Sequence, residues 1–189
     1  MKRVFFLLIG ILVLSVACQD DFVEPDNDLM ALEKSAKYEK VKTFPVKGWT
    51  QIIPDETAPR FQCMPVEAGV DMCSFGWLAG QMNISGKIIQ EESTYTKLYC
   101  ELMLTPEGPV IYNEVSADVK FASGERVSAL GFVSINTVTG EVTGHTDYVG
   151  GTGRFEGING TSQVVNGVVL PDGGLYWDLK GEITLVLKD

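Results

Sequence analysis

From about Thr43 onward apolar residues recur at every second position, the spacing that puts alternate side chains on one face of a strand. Between Thr94 and Leu104 one parity holds Thr96, Leu98, Cys100, Leu102 and Leu104, while the other holds Lys97 and Glu101. Between Ile111 and Phe121, Val115, Ala117, Val119 and Phe121 share a face against Glu114, Ser116, Asp118 and Lys120. One wet face and one dry face is what an antiparallel sheet shows. The pattern predicts strands near 49–53, 75–84, 94–104, 111–121, 127–136, 141–149, 161–169 and 175–187. Leu170-Pro171-Asp172-Gly173-Gly174-Leu175 reads as a hairpin connection, because proline presets the first turn angle and glycine accepts positive φ. Thr139-Gly140 and Ser123-Gly124-Glu125 mark two more turns. With no convincing helix among the strands, residues 43–189 are expected to form one all-β domain, an eight-stranded antiparallel β-barrel or, alternatively, a β-sandwich. No period of 20 to 50 residues repeats cleanly, which disfavours a propeller or solenoid.

The N-terminus breaks this pattern. Lys2 and Arg3 precede an unbroken apolar run from Val4 to Leu14, followed by Ser15-Val16-Ala17-Cys18 and the acidic pair Asp20 and Asp21, with one Gly inside the run. The run is short of the roughly 20 residues that span a bilayer, so residues 1–17 are expected to be a removed signal peptide. Cys18-Gln19-Asp20-Asp21 resembles the processing site and export tag of surface lipoproteins of Bacteroidetes. That resemblance implies an acylated Cys18, a membrane partner through the lipid anchor, and an outer-membrane location facing the surface or the periplasm. Residues 18–42, charged and poor in aromatics, read as a tether. Leu29, Leu32 and Ala36 fall at helical spacing within it, so a short, weakly docked helix is an option.

Charge and cysteine count narrow the chemistry. Loss of residues 1–17 removes Lys2 and Arg3 and leaves 13 basic against 25 acidic residues, a net charge near −12. A nucleic-acid partner would be expected to meet a basic patch, and the most basic stretch, 34–47, is interrupted by Glu39. In an exported chain Cys63 and Cys73 can close a disulfide around a loop containing Pro65 and Gly69, while Cys100 reads as a small core hydrophobe. His145 is the only histidine and no Cys-x-x-Cys occurs, so neither a metal site nor a cofactor is expected.

The segment Gly150-Gly151-Thr152-Gly153-Arg154-Phe155-Glu156-Gly157, followed by Gly160-Thr161, invites a phosphate-loop reading that its details refuse. It lacks the lysine and hydroxyl of a P-loop, and Glu156 stands where a dinucleotide fingerprint needs its third glycine. Gly150, Gly151, Gly153, Gly157 and Gly160 are expected to serve a tight corner and a bent returning strand. The segment resembles the Gly-Gly-Thr-Gly-x-Phe stretch of allene oxide cyclase and dirigent barrels, with Phe44-Pro45-Val46-Lys47-Gly48 similar to the lead-in of their first strand. The resemblance implies an eight-stranded antiparallel barrel and carries no catalytic residue over to this chain.

Among polar residues, His145 and Asp147 share a strand face, where a bonded pair can orient a general base. Two residues along a strand nevertheless separate side chains by nearly 7 Å, so a solvent-facing polar pair is the default. Arg154 at a rim is a candidate for an anionic ligand. Trp49, Trp77 and Trp177 fall on expected strands as core or pocket wall, with core packing the default. No serine elbow is present. The expectation is a membrane-anchored binding or interaction module for a small apolar or glycan ligand, with no assigned catalysis. A cyclase- or dirigent-like enzyme acting on an unsaturated small molecule and a subunit of a surface complex are the alternatives. An interior cavity above about 300 Å³ with convergent polar groups would favour ligand or catalysis, and a filled interior an interaction role.

Overall fold

The computed structural model describes residues 40–187. The expected leader, Cys18 and the tether as far as residue 39 lie outside the described residues. Eight long strands account for most of the chain: β1 (Lys40–Pro54), β4 (Phe75–Met82), β6 (Thr94–Thr105), β7 (Gly108–Lys120), β8 (Arg126–Asn136), β9 (Glu141–Gly151), β10 (Asn159–Val169) and β11 (Leu175–Leu187). Three short ones are added, β2 (Arg60–Gln62), β3 (Asp71–Cys73) and β5 (Gly86–Lys87). Neighbours from β6 to β11 pair in sequence order, β11 pairs with β1, and β1 also pairs with β4, which returns to β6. The sheet therefore closes as a ring of eight antiparallel strands, leaving none of the long strands with a free edge along its whole length. β5 lies on β4, and β2 pairs with β3 alone.

Each expected strand is present, most within two residues of its expected start. β1 is the main extension: it starts at Lys40, nine residues before Trp49, because Lys40 to Gly48 pairs residue for residue with Leu187 to Leu179 of β11. Alternate residues point inward and fill the ring, with Val46, Phe121, Phe155 and Ile183 fully buried.

The parity read in β6 is corrected in its first half. Tyr95 and Lys97 are buried, while Thr96 is exposed and Leu98 is 51% exposed. A register shift against β7 between Lys97 and Tyr99 inserts one extra residue, and a bulge of this kind inverts the alternation on one side of itself. Of the tryptophans, Trp177 is buried in the core, Trp49 lies partly exposed and stacks on Tyr176 at 5.9 Å, and half-buried Trp77 meets Phe75 edge-on at 5.4 Å.

The glycine segment runs from the end of β9 through a single 3-10 turn, Gly153–Phe155, into β10. A Cβ on Gly151 would lie 2.6 Å from the Cβ of Phe155, so the turn can fold Phe155 back into the ring only over a bare backbone. Gly160 has φ +142° and lets β10 approach β11 until a Cβ there would sit 2.2 Å from the Glu182 carbonyl oxygen.

The two ends of the ring differ. At one end Phe155 packs on Phe121, centroids 5.9 Å apart, and closes the interior together with Ile158. At the other end lie the β6–β7, β8–β9 and β10–β11 turns and the long β1–β4 connection, residues 55–74.

Candidate functional site

The 55–74 connection is held across its end of the ring by a disulfide that differs from the expected one. Cys63 bonds to Cys100, both fully buried, and Cys73 is left as a buried free thiol. The pairing follows from backbone placement. Met64 N donates to Cys100 O at 2.9 Å and Leu102 N donates to Met64 O at 2.7 Å, so this stretch runs beside β6 and brings residue 63 against residue 100, with Cα atoms 4.5 Å apart. Cys73 instead stands opposite Arg60 in the β2–β3 pair. Cys100 is thus a crosslink and not a lone core hydrophobe.

Beneath this cap is a cavity of about 180 Å³. Its apolar wall comes from Ile52, Val115, Val133 and Leu175, and its polar wall from Lys97, Asn113, Tyr95, Cys73 and Arg60. It adjoins a second, apolar space of about 70 Å³ at the ring's centre, since Ile52, Tyr95, Val115 and Val133 line both. The interior is therefore filled mainly by its own side chains. Trp177 borders the inner space, and its buried indole N–H has no hydrogen-bond partner among the described residues.

Lys97 is the unusual residue of the cavity. It is 7% exposed, and its Nζ donates to Asn113 Oδ1 at 2.5 Å and lies 3.8 Å from Met72 Sδ. Neither partner is charged, and among the described residues no carboxylate bonds the amine. Burial pushes the ammonium down from 10.5 to about 8, with the Cys73 thiol pulling weakly in the other direction. Asn113 is itself fixed, its Nδ2 donating to the carbonyls of Ile111 and Val133, both at 3.4 Å. The Tyr95 phenol is driven above its ordinary range, chiefly by burial.

The other cation of the mouth is already matched. Arg60 binds Asp71 Oδ1 at 2.8 Å, lies 3.6 Å from Glu56, and donates to Cys73 Sγ at 3.1 Å. Burial raises the Cys73 thiol, more than the nearby Arg60 lowers it. Lys97 is thus the one cation of this cavity whose partners are all neutral.

His145 and Asp147 do meet, Nε2 to Oδ2 at 3.2 Å, although they stand two residues apart on β9. Both border an outer groove with Tyr112 and Phe132, and His145 also touches the second inner space, but neither lines the Lys97 cavity. Phe132 pairs with His145 in the β8–β9 register, ring centroids 4.1 Å apart, and Tyr112 and Tyr99 continue the same outer row. The hydroxyls of Tyr99 and Tyr112 donate to Glu101 and Glu114, each at 3.0 Å, so every polar ring of this row faces an acid two residues along its own strand. Arg154 sits at the opposite end of the ring from the cavity, where it binds Glu125 at 3.2 Å and lies over the Phe155 ring at 4.9 Å. Among the described residues no group of three or more His, Cys, Asp or Glu is placed to hold a metal ion.

The sequence alone does not single out Lys97, Asn113, Arg60 or Tyr95, and it marks Cys73 only as half of the expected Cys63–Cys73 disulfide. Asn113 shares the parity of Val115, Ala117 and Val119, and that alignment was the available signal. Lys97 gave none, because the bulge that turns it inward has no glycine or proline to mark it.

No protein-family profile and no curated protein matches the chain. Among solved structures, the pterocarpan synthase dirigent protein GePTS1 is similar, with a TM-score of 0.47 and 14% identity over 79% of this chain and 94% of that chain. The likeness assigns no residue a role.

Proposed function

We propose that the protein binds a small organic molecule with an apolar body and an oxygen-bearing head, held at the Lys97 end of the ring. The interior space is below the roughly 300 Å³ expected of a ligand site, so the reading is carried instead by a buried amine with only neutral partners beside an apolar cavity, which suits a ligand of one small ring. An unmatched charge of this kind is costly to keep in a fold, and a perturbed amine lining a pocket is where function is to be sought first. A carboxylate, phenolate or carbonyl oxygen would accept from Lys97 what the protein leaves unmatched. Ile52, Val115, Val133 and Leu175 would enclose the body of the ligand.

The volume narrows the class. At about 180 Å³ the cavity is somewhat larger than the apolar cavity of roughly 150 Å³ known to hold benzene, and it suits one ring with a head group better than an extended unsaturated chain. We read the chain as a lipid-anchored envelope protein, a part of the proposal supported by the sequence around Cys18 alone. Benzoate is the direct probe, followed by ligand-detected NMR and calorimetry at pH 7. Binding to the native protein with at least a tenfold loss in Lys97→Met is expected, as for a charge-assisted hydrogen bond of roughly 1.5–3 kcal/mol. Absence of binding, or equal affinity for the variant, would refute the reading.

A further inference from the structure

We infer that Lys97 is a nucleophilic amine that captures small aldehydes in this cavity as an imine. The inference rests on the pocket reading above and adds the substrate class.

The geometry also suits the unprotonated fraction of this amine, which is the minor form at pH 7 and the one that attacks. A neutral amine has two N–H groups and one lone pair. Lys97 has two acceptors, Asn113 Oδ1 and Met72 Sδ, both in the wall of the cavity. With both N–H groups so directed, the lone pair is left for the remaining space. A third N–H would have no acceptor among the described residues. Among the described residues no carboxylate stands against the nitrogen to hold it charged, and burial lowers its proton affinity in the same sense. The Cys73 thiol does not compete, since burial keeps it in its unreactive protonated form.

The chemistry balances without a cofactor. The Nζ lone pair attacks the carbonyl carbon and forms the C–N bond. The carbonyl π pair moves to oxygen, which takes up a proton as the nitrogen gives one up, giving a carbinolamine. Loss of the hydroxyl with one further proton, as water, leaves the C=N bond. Aldehyde and amine go to imine and water, with no change of oxidation state. Apolar walls at Val115, Val133 and Leu175 would limit return of that water.

The test uses the full chain with benzaldehyde and sodium cyanoborohydride at pH 7, and peptide mapping of the benzylated lysines. Lys97 is expected to be labelled on the order of tenfold or more faster than exposed lysines such as Lys87, because its burial with neutral partners favours the attacking free amine and the cavity holds the aldehyde beside it. The labelling is expected to slow when benzoate is added as competitor. Labelling of Lys97 no faster than of Lys87 would overturn the inference. The two readings separate on the same sample: benzoate binding without selective labelling sinks the imine and leaves the pocket, whereas loss of both sinks both. Because labelling is mapped on the native chain, the result does not depend on a variant that folds. Lys97→Arg is a second check, expected to keep benzoate binding and lose the adduct.

Discussion

Lys97 Nζ and Asn113 Oδ1 meet at 2.5 Å inside the ring, although Lys97 stands opposite Val115 and Asn113 opposite Cys100 in the β6–β7 ladder. The bulge between Lys97 and Tyr99 turns the lysine inward, and the unbroken alternation of β7 brings the asparagine to the same side. This crossing pair sets the character of the cavity, because each residue on its own would be a polar group buried at a cost.

The lysine should make stability depend on pH in a definite direction. Its folded value of about 8 lies below the ordinary 10.5, so between these values the unfolded chain holds more proton and stability rises with pH. The displacement corresponds to a penalty on the order of 3 kcal/mol, in full below about pH 8 and relieved by about 10.5. Lys97→Met, which carries no charge, should therefore gain stability over the native protein at pH 7 and lose most of that advantage at pH 10.5. Urea unfolding of both proteins at the two pH values is the measurement, and a pH-independent difference would contradict it.

The disulfide should matter through the loop it closes. With its cysteines 37 positions apart, Cys63–Cys100 is worth about 4 kcal/mol on chain-entropy grounds. Replacing both by Ala should lower denaturant stability by about 2–4 kcal/mol and weaken benzoate binding, since the cap over the cavity loses its staple. Replacing Cys73 alone should leave the crosslink in place, which a thiol count on the denatured protein will show.

Gly160 is constrained by its neighbour strand. Gly160→Ala would push a methyl against the Glu182 carbonyl and is expected to cost about 1–3 kcal/mol, read as a lower thermal midpoint. The same change at Gly124, where a Cβ would meet nothing within 4 Å, tests backbone strain alone and should cost less.

The outer-face pair gives a control. His145 and Asp147 share no hydrogen-bond partner with Lys97, so the double change to Ala should alter benzoate affinity by no more than about twofold. A larger loss by calorimetry would move the binding site from the interior to the aromatic row of Tyr112, Phe132 and His145.

The sequence by itself determined the strands and their turns, because side-chain alternation is a local consequence of strand geometry. Period-two runs and glycine-marked turns placed all eight long strands, and the alternation of β7 put Val115, Ala117, Val119 and Phe121 on one face. What only the tertiary structure decided were the relations between distant residues. β1 closes the ring on β4, Cys63 chooses Cys100 over the nearer Cys73, and one extra residue in β6 turns Lys97 from solvent to core. Each depends on how one strand is registered against another across many intervening residues, and a register is set by packing and backbone pairing that no local window contains.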